Sequence, residues 1–143
     1  MIARHAALLT AALIATSTGE VLADAMRTAD APYVAAYLVK KKEGMSFEAF
    51  RAHQLDTHVP LALSLPGLLD YKLTFFPPNN GEPQPVDAIA EVTFGNQHAY
   101  EAAMASEAGQ RALADLPNML DLNSVMVLTA KTGDIYAAHI DSD

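Results

Sequence analysis

The chain has 143 residues, 51% of them apolar, which suffices for one domain with a buried core. It contains no cysteine, which excludes disulfides and thiolate chemistry. The 17 acidic residues outnumber the 9 basic ones, and the net charge of −8 argues against nucleic acid as a partner, because the protein would repel a polyanion.

Residues 1–25 have the pattern of a secretory signal peptide. One arginine precedes an Ala- and Leu-rich run over residues 6–15, and the segment ends with the small residues Ala23 and Ala25. The run is too short for a stable membrane span. We expect a periplasmic or secreted protein if this signal is cleaved and a cytoplasmic one otherwise; the alternative is an Ala-rich helix packed on the domain. Residues 26–32 then form a linker.

Residues 33–131 are predicted to form one domain, and residues 132–143 a C-terminal tail. The first strand, residues 32–39, is apolar on both faces. A helix then begins after Ser46, which is a good N-cap, and runs to about residue 63.

The second strand, residues 68–76, shows an alternating pattern. Leu69, Tyr71, Leu73 and Phe75 share one face, and polar residues share the other. The remaining predicted elements are a proline-rich loop over 77–85 that forms a mouth or lid, a strand over 88–94, a helix capped by Asn96 and ending near 104, a helix over 107–116 and a strand over 124–130 that is apolar on both faces.

This order predicts an α+β domain with a ferredoxin-like βαββαβ arrangement and a four-stranded antiparallel sheet. Helices cover only one face of such a sheet, yet the first and last strands are apolar on both faces. We therefore expect the open face to be covered by a second copy of the chain in a homodimer. The alternative is that the N-terminal segment or the tail folds over it.

Polar side chains interrupt the apolar stripe of the first helix. Buried polar groups need partners, and Pro60 leaves the carbonyl of Asp56 without an N–H, which loosens the helix there. A uniform α-helical period places His53 and Asp56 on the solvated side. The same period places eight residues on the core-facing stripe: Phe47, Phe50, Arg51, Gln54, Leu55, His58, Leu61 and Leu65.

These residue types suggest proton-transfer chemistry on a small hydrophobic ligand. A histidine and a tyrosine together can move a proton near neutral pH, so we predict His58 and Tyr71 as catalytic residues. Arg51 can hold a carboxylate or enolate. The predicted substrate-binding residues are Arg51, Gln54, Phe50 and Leu61. No metal or cofactor is predicted, since no zinc motif or Gly-rich phosphate loop is present. The alternative for His58 is a structural bond to a backbone carbonyl.

Three motifs resemble the EthD family, named from ethyl tert-butyl ether degradation. They read Met-Ser-x-x-x-Phe over residues 45–50, His-x-Pro over residues 58–60 and Pro-Gly-Leu-x-x-Tyr over residues 66–71. The resemblance spans about residues 33–131 and implies a dimeric α+β barrel. Relatives with this fold include methylmuconolactone isomerases, polyketide cyclases, anthrone-processing enzymes and cofactor-free monooxygenases. In such enzymes, residues matching His58 and Tyr71 are implicated as proton-handling groups.

The resemblance and the helix pattern together predict a cofactor-independent enzyme of the isomerase, cyclase or oxidoreductase type. Its substrate would be a small apolar aromatic, lactone or polyketide-like molecule. The alternatives are a non-catalytic binding protein for a hydrophobic small molecule, an accessory protein of a monooxygenase system, and a module that only dimerises. The export signal departs from the family, whose catabolic enzymes are expected in the cytoplasm.

Overall fold

The structure is a computed structural model that describes residues 31–131. The predicted signal peptide, most of the linker and the tail lie outside the described residues. The helices and strands are β1 (Tyr33–Val39), α1 (Phe47–His53), a π-helical turn (Gln54–His58), α2 (Val59–Leu63), β2 (Leu68–Phe75), β3 (Ala88–Phe94), α3 (Gln97–Ala105), α4 (Glu107–Asp115) and β4 (Met126–Lys131), with 3-10 turns at Leu116–Asn118 and Leu122–Ser124.

The four strands form one antiparallel sheet in the order β2-β3-β1-β4. This is the ferredoxin-like arrangement, so the predicted fold class is confirmed. Tyr37 in β1 lies opposite Ala90 of β3 on one side and Val127 of β4 on the other. Among the described helices, none has the length and apolar character that a bilayer crossing requires.

The two predicted N-caps, Ser46 and Asn96, are confirmed. The Ser46 Oγ accepts a hydrogen bond from the Ala49 N–H at 3.1 Å, and the Asn96 Oδ1 accepts one from the Ala99 N–H at 2.8 Å. Each bond satisfies a backbone donor that has no partner inside its helix, which fixes where the helix begins.

A β-bulge changes the pattern at the start of β2. The register shifts between Leu68 and Asp70, and Leu69 is 66% exposed. Tyr71 and Leu73 nevertheless lie opposite Val92 and Ala90, on the face that the helices cover. The prediction that Leu69 shares this face is wrong, because the extra residue in a bulge interrupts the strict alternation of a strand.

The core lies between the sheet and the helices in two clusters. One contains Val92, Phe94 and Ala103, and the other contains Phe50 and Met119. All five side chains are buried. The two clusters together hold the helical layer against the sheet, and the candidate site lies between these layers.

Strand β4 is exposed within the single chain. Met126 is 55% exposed, Val127 45% and Leu128 54%. β4 is an edge strand with a neighbour on one side only. The apolar side chains of β4 are therefore uncovered in the described part of a single chain.

Candidate functional site

A π-helical turn sets which side chains of the first helical segment point inward. The Val59 N–H donates to the carbonyl of Gln54, five residues earlier, and Pro60 has no N–H to offer Asp56. A π turn holds one more residue than an α turn, so the residues after it are displaced by roughly 100° around the axis. A uniform α-helical period therefore misplaces residues on one side of the turn.

The displacement explains three corrections to the predicted stripe. Arg51 is exposed, with its Cζ 5.4 Å from the centroid of the Phe75 ring, and Leu55 is 40% exposed. His53, which was predicted on the solvated side, is only 23% exposed and is turned toward α4. The buried face thus passes through Phe50 and His53 in α1, through Gln54 and His58 at the two ends of the π turn, and through Ala62 in α2.

A cavity of about 80 Å³ lies between the sheet and the helices. Its polar lining comes from Tyr37, Gln54, His58 and Tyr71, and the rest of its lining is apolar. No Lys, Arg, Asp or Glu side chain is among these lining residues. Leu113, which is exposed, also lines the cavity and marks where it approaches the surface.

One carboxylate holds two histidines beside this cavity. The His58 Nδ1 lies 3.0 Å from the Asp115 Oδ2, and the His53 Nε2 lies 2.9 Å from the Asp115 Oδ1. The Asn118 Nδ2 donates to the same Oδ1 at 3.1 Å. Because an ionised carboxylate only accepts hydrogen bonds, the His58 Nδ1 carries the proton, and its Nε2 keeps the lone pair for a ligand in the cavity.

The surroundings keep His58 neutral and Asp115 ionised. Burial lowers the pKa of His58 below its ordinary value of 6.5, although the hydrogen bond that His58 donates to Asp115 opposes this effect. Burial alone would raise the pKa of Asp115, but the hydrogen bonds from Asn118 and the two histidines outweigh it and hold that pKa below 3.8. At neutral pH the pair is an imidazole base oriented by a carboxylate.

The two cavity tyrosines differ in their partners. Burial raises the pKa of Tyr71 to about 12, so its hydroxyl stays protonated at neutral pH, and that hydroxyl is buried without a hydrogen-bond partner among the described residues. The Tyr37 hydroxyl is 2.6 Å from the Tyr100 hydroxyl. Burial, and then this bond, raise the pKa of Tyr37. Tyr71 is therefore the tyrosine whose donor is available to a ligand.

Gln54 presents a second polar group without a partner. Its side chain is 2% exposed, and its Oε1 is buried with no hydrogen bond from the described residues. A buried acceptor without a donor costs about 1–3 kcal/mol of stability. Gln54 lines the same cavity as Tyr71 and His58, so an incoming molecule can satisfy it.

The predicted site residues are thus only partly brought together. His58, Tyr71 and Gln54 all line the cavity. The predicted ligand contacts Arg51, Phe50 and Leu61 are not among its lining residues: Arg51 is at the surface, Phe50 is wholly buried in the core and Leu61 is half-buried. The loop over residues 77–85, predicted as a mouth or lid, also contributes no lining residue.

Sequence reasoning missed Asp115 as the partner of His58. The carboxylate is separated from the histidine by 57 residues, and it is 7% exposed at the end of α4. The available signal was a lone Asp on the same helical face as the buried Gly109 and Ala112. The side chains of His53, His58 and Asp115 are joined by hydrogen bonds. Within residues 31–131, no group of three His, Cys, Asp or Glu residues is arranged to hold a metal ion.

Comparison with solved structures shows a shared fold. An ethyl tert-butyl ether degradation (EthD) family protein from Bacillus halodurans has 20% identity and a TM-score of 0.59, over 69% of this chain and 96% of that one. A hydroxynitrile lyase from Passiflora edulis has 11% identity and a TM-score of 0.59, over 76% and 99%. A dimeric protein of unknown function with a ferredoxin-like fold from Bacteroides fragilis has 12% identity and a TM-score of 0.54, over 70% and 95%.

Family comparison identifies the domain. No curated protein matches the chain. The model of the EthD domain, however, matches residues 42–123, which is more than half of the chain and includes the cavity lining from the π turn to α4, and Asp115. The chain belongs to the EthD family.

Proposed function

We propose that the protein is a cofactor-independent enzyme that moves a proton on a small apolar aromatic, lactone or polyketide-like molecule. The observation that carries this proposal is the neutral His58 imidazole, which lines an apolar cavity while Asp115 holds its Nδ1. A base with a pKa close to or below neutrality is unprotonated and ready at physiological pH.

His58 and Tyr71 have different roles in the proposed reaction. His58 removes a proton from a carbon next to a carbonyl group, and the electron pair moves onto the carbonyl oxygen. Tyr71 donates a hydrogen bond to that oxygen, since its hydroxyl is protonated and has no partner in the described protein. Return of the proton to the same or a neighbouring carbon completes an isomerisation or a cyclisation.

We also propose that the active form is a homodimer. The exposed apolar side chains on the open face of β4 are the supporting observation: Met126 and Leu128 lie on this face and are each about half exposed. Contiguous apolar surface of this kind is usually covered by a partner. The Bacteroides fragilis structure is described as dimeric, which agrees with this arrangement.

Export to the periplasm or medium remains our proposal for residues 1–25. N-terminal sequencing of protein recovered from a bacterial host tests it. A start near Met26 supports cleavage after Ala25, and an intact Met1 in a secreted or periplasmic fraction contradicts it.

The function is tested by deuterium exchange in D2O. The wild type is mixed with acetophenone, γ-butyrolactone or hydroxyacetone, and the loss of the C–H signal next to the carbonyl is followed by NMR. We expect exchange above the buffer rate, and a fall of about 10²- to 10⁴-fold in His58→Gln. The matched control is His98→Gln, at an exposed histidine outside the cavity, which should exchange like the wild type.

The same experiment separates the enzyme from a non-catalytic binding protein. Ligand binding is measured by the rise in melting temperature that any native-state ligand causes. A wild type that is stabilised by a ligand but never accelerates exchange is a binding protein, and the proposed chemistry is then wrong.

A further inference from the structure

Two buried polar atoms define what the cavity recognises. The Gln54 Oε1 is an acceptor and the Tyr71 hydroxyl is a donor, and neither has a hydrogen-bond partner in residues 31–131. Both residues line the cavity beside His58. Native proteins rarely leave such groups unpaired, because each costs about 1–3 kcal/mol, so two of them on residues that line one cavity indicate a ligand that pairs with both.

We propose that the ligand is a small neutral hydroxycarbonyl compound, with its hydroxyl donating to the Gln54 Oε1 and its carbonyl oxygen accepting from the Tyr71 hydroxyl. The chemistry of this inference rests on the proposed function, but the recognition of the ligand by Gln54 and Tyr71 does not. It names the substrate class that the two orphan groups select, and it assigns Gln54 as the residue that determines specificity for the hydroxyl.

Charge in and around the cavity selects a neutral ligand. No Lys or Arg is among the lining residues, and the only cationic side chain predicted for this role, Arg51, is at the surface. Asp115 lies behind His58 and is ionised. A carboxylate in this cavity would lose its hydration without gaining a cation, which is strongly unfavourable.

Size limits what the inner part of the cavity accepts. The volume is about 80 Å³. An apolar cavity of about 150 Å³ is known to hold benzene, so an aromatic ring would not fit wholly inside this one. The hydroxycarbonyl end of the substrate therefore occupies the cavity, and any larger apolar part extends toward Leu113, where the cavity approaches the surface.

The proton balance of the step is simple. A C–H bond breaks at the carbon that carries the hydroxyl group and is bonded to the carbonyl carbon. Its proton forms an N–H bond with the His58 Nε2. The electron pair becomes the carbon–carbon double bond of an enediolate, whose oxyanion accepts from Tyr71. Reprotonation on the former carbonyl carbon, with transfer of the hydroxyl proton, yields the isomeric hydroxyaldehyde, and no oxidant or reductant is consumed.

Four isosteric probes test the recognition. Hydroxyacetone carries both groups, butanone lacks the hydroxyl, isobutanol lacks the carbonyl, and glycolate replaces the methyl group with an anionic oxygen. Dissociation constants are measured by NMR titration of the full chain. We expect hydroxyacetone to bind about tenfold to a hundredfold more tightly than butanone and isobutanol, and glycolate to show no saturable binding.

Two variants assign each group. In Gln54→Leu the preference for hydroxyacetone over butanone should disappear while the preference over isobutanol stays. In Tyr71→Phe the preference for hydroxyacetone over isobutanol should disappear while the preference over butanone stays. Thermal unfolding of both variants confirms that they are folded. Equal affinities of the wild type for all three neutral probes, no binding of hydroxyacetone, or unchanged ratios in the two variants would each overturn the assignment.

Failure of this inference is distinguishable from failure of the proposed function. His58→Gln should keep the order of affinities among the probes and lose only deuterium exchange into hydroxyacetone. Selective binding without exchange in the wild type contradicts the enzyme and leaves the ligand class standing. Exchange without selectivity contradicts the ligand class and leaves the enzyme standing.

Discussion

Asp115→Asn tests the part of the site that sequence reasoning did not find. The carboxylate is 7% exposed and accepts hydrogen bonds from His53, His58 and Asn118. An asparagine of the same shape has an amide nitrogen that donates. When that nitrogen faces the His58 Nδ1, the imidazole proton moves to Nε2, and the base in the cavity becomes a donor.

The expected loss of activity is large. General-base catalysis contributes about 10²- to 10⁴-fold, and an imidazole in the wrong tautomer loses most of it. We expect the exchange rate of Asp115→Asn to fall within this range, whereas binding of hydroxyacetone should change much less. Thermal stability should also fall, by about 1–3 kcal/mol, since buried donors lose their ionised acceptor.

The pH profile adds a readout that misfolding would not produce. His58 must be neutral to act, so the wild-type rate should rise with pH through a pKa below 6.5 and then level off. Asp115 raises the pKa of His58 against the effect of burial, so its replacement should move this limb to lower pH.

The assay is deuterium exchange into hydroxyacetone as a function of pH. Asp56→Asn is the matched control, because Asp56 is exposed on the same π turn and should behave like the wild type. A rate in Asp115→Asn within about twofold of the wild type, with an unmoved acidic limb, would refute the role of Asp115 as the group that orients the base.

Four further results are expected. Gln54→Leu should raise the free energy of unfolding of the ligand-free protein by about 1–3 kcal/mol, because it removes a buried acceptor without a partner; calorimetry that shows a loss would contradict this. Gly109→Ala should destabilise by more than about 2 kcal/mol in denaturant unfolding, because its Cβ would overlap backbone carbonyl oxygens at the end of α3. Leu128→Glu should shift the sedimentation coefficient toward the monomer while Thr129→Glu, on the other face of β4, does so less; no shift would remove β4 from the interface. Since folding lowers the pKa of His58, the wild type should lose stability relative to His58→Gln as the pH falls from about 7 to about 5, and parallel curves would contradict the burial of this ring.

The fold was predictable because it depends on local patterns. The Ser46 and Asn96 side chains cap helices where the sequence places them, and the alternation of Tyr71, Leu73 and Phe75 identifies the covered face of β2. The exception at Leu69 is a bulge, and nothing in the neighbouring residues distinguishes it from a regular strand.

The site was predictable only in part, for two physical reasons. The π turn at Gln54–His58 changes the helical phase, so a constant period put Arg51 inside and His53 outside. Pro60 indicated a disturbed helix but did not reveal its direction. The second reason is that Asp115 meets His58 through tertiary packing of α4 on the first helical segment, and a local pattern carries no information on such a contact.

We propose that His58 acts as a base in a ligand cavity. Deuterium exchange into hydroxyacetone, measured side by side for the wild type, His58→Gln and His98→Gln, tests it most directly. We expect catalysed exchange in the wild type and in His98→Gln, and a rate near that of buffer in His58→Gln. A His58→Gln protein that is folded, binds hydroxyacetone and exchanges as fast as the wild type would contradict it.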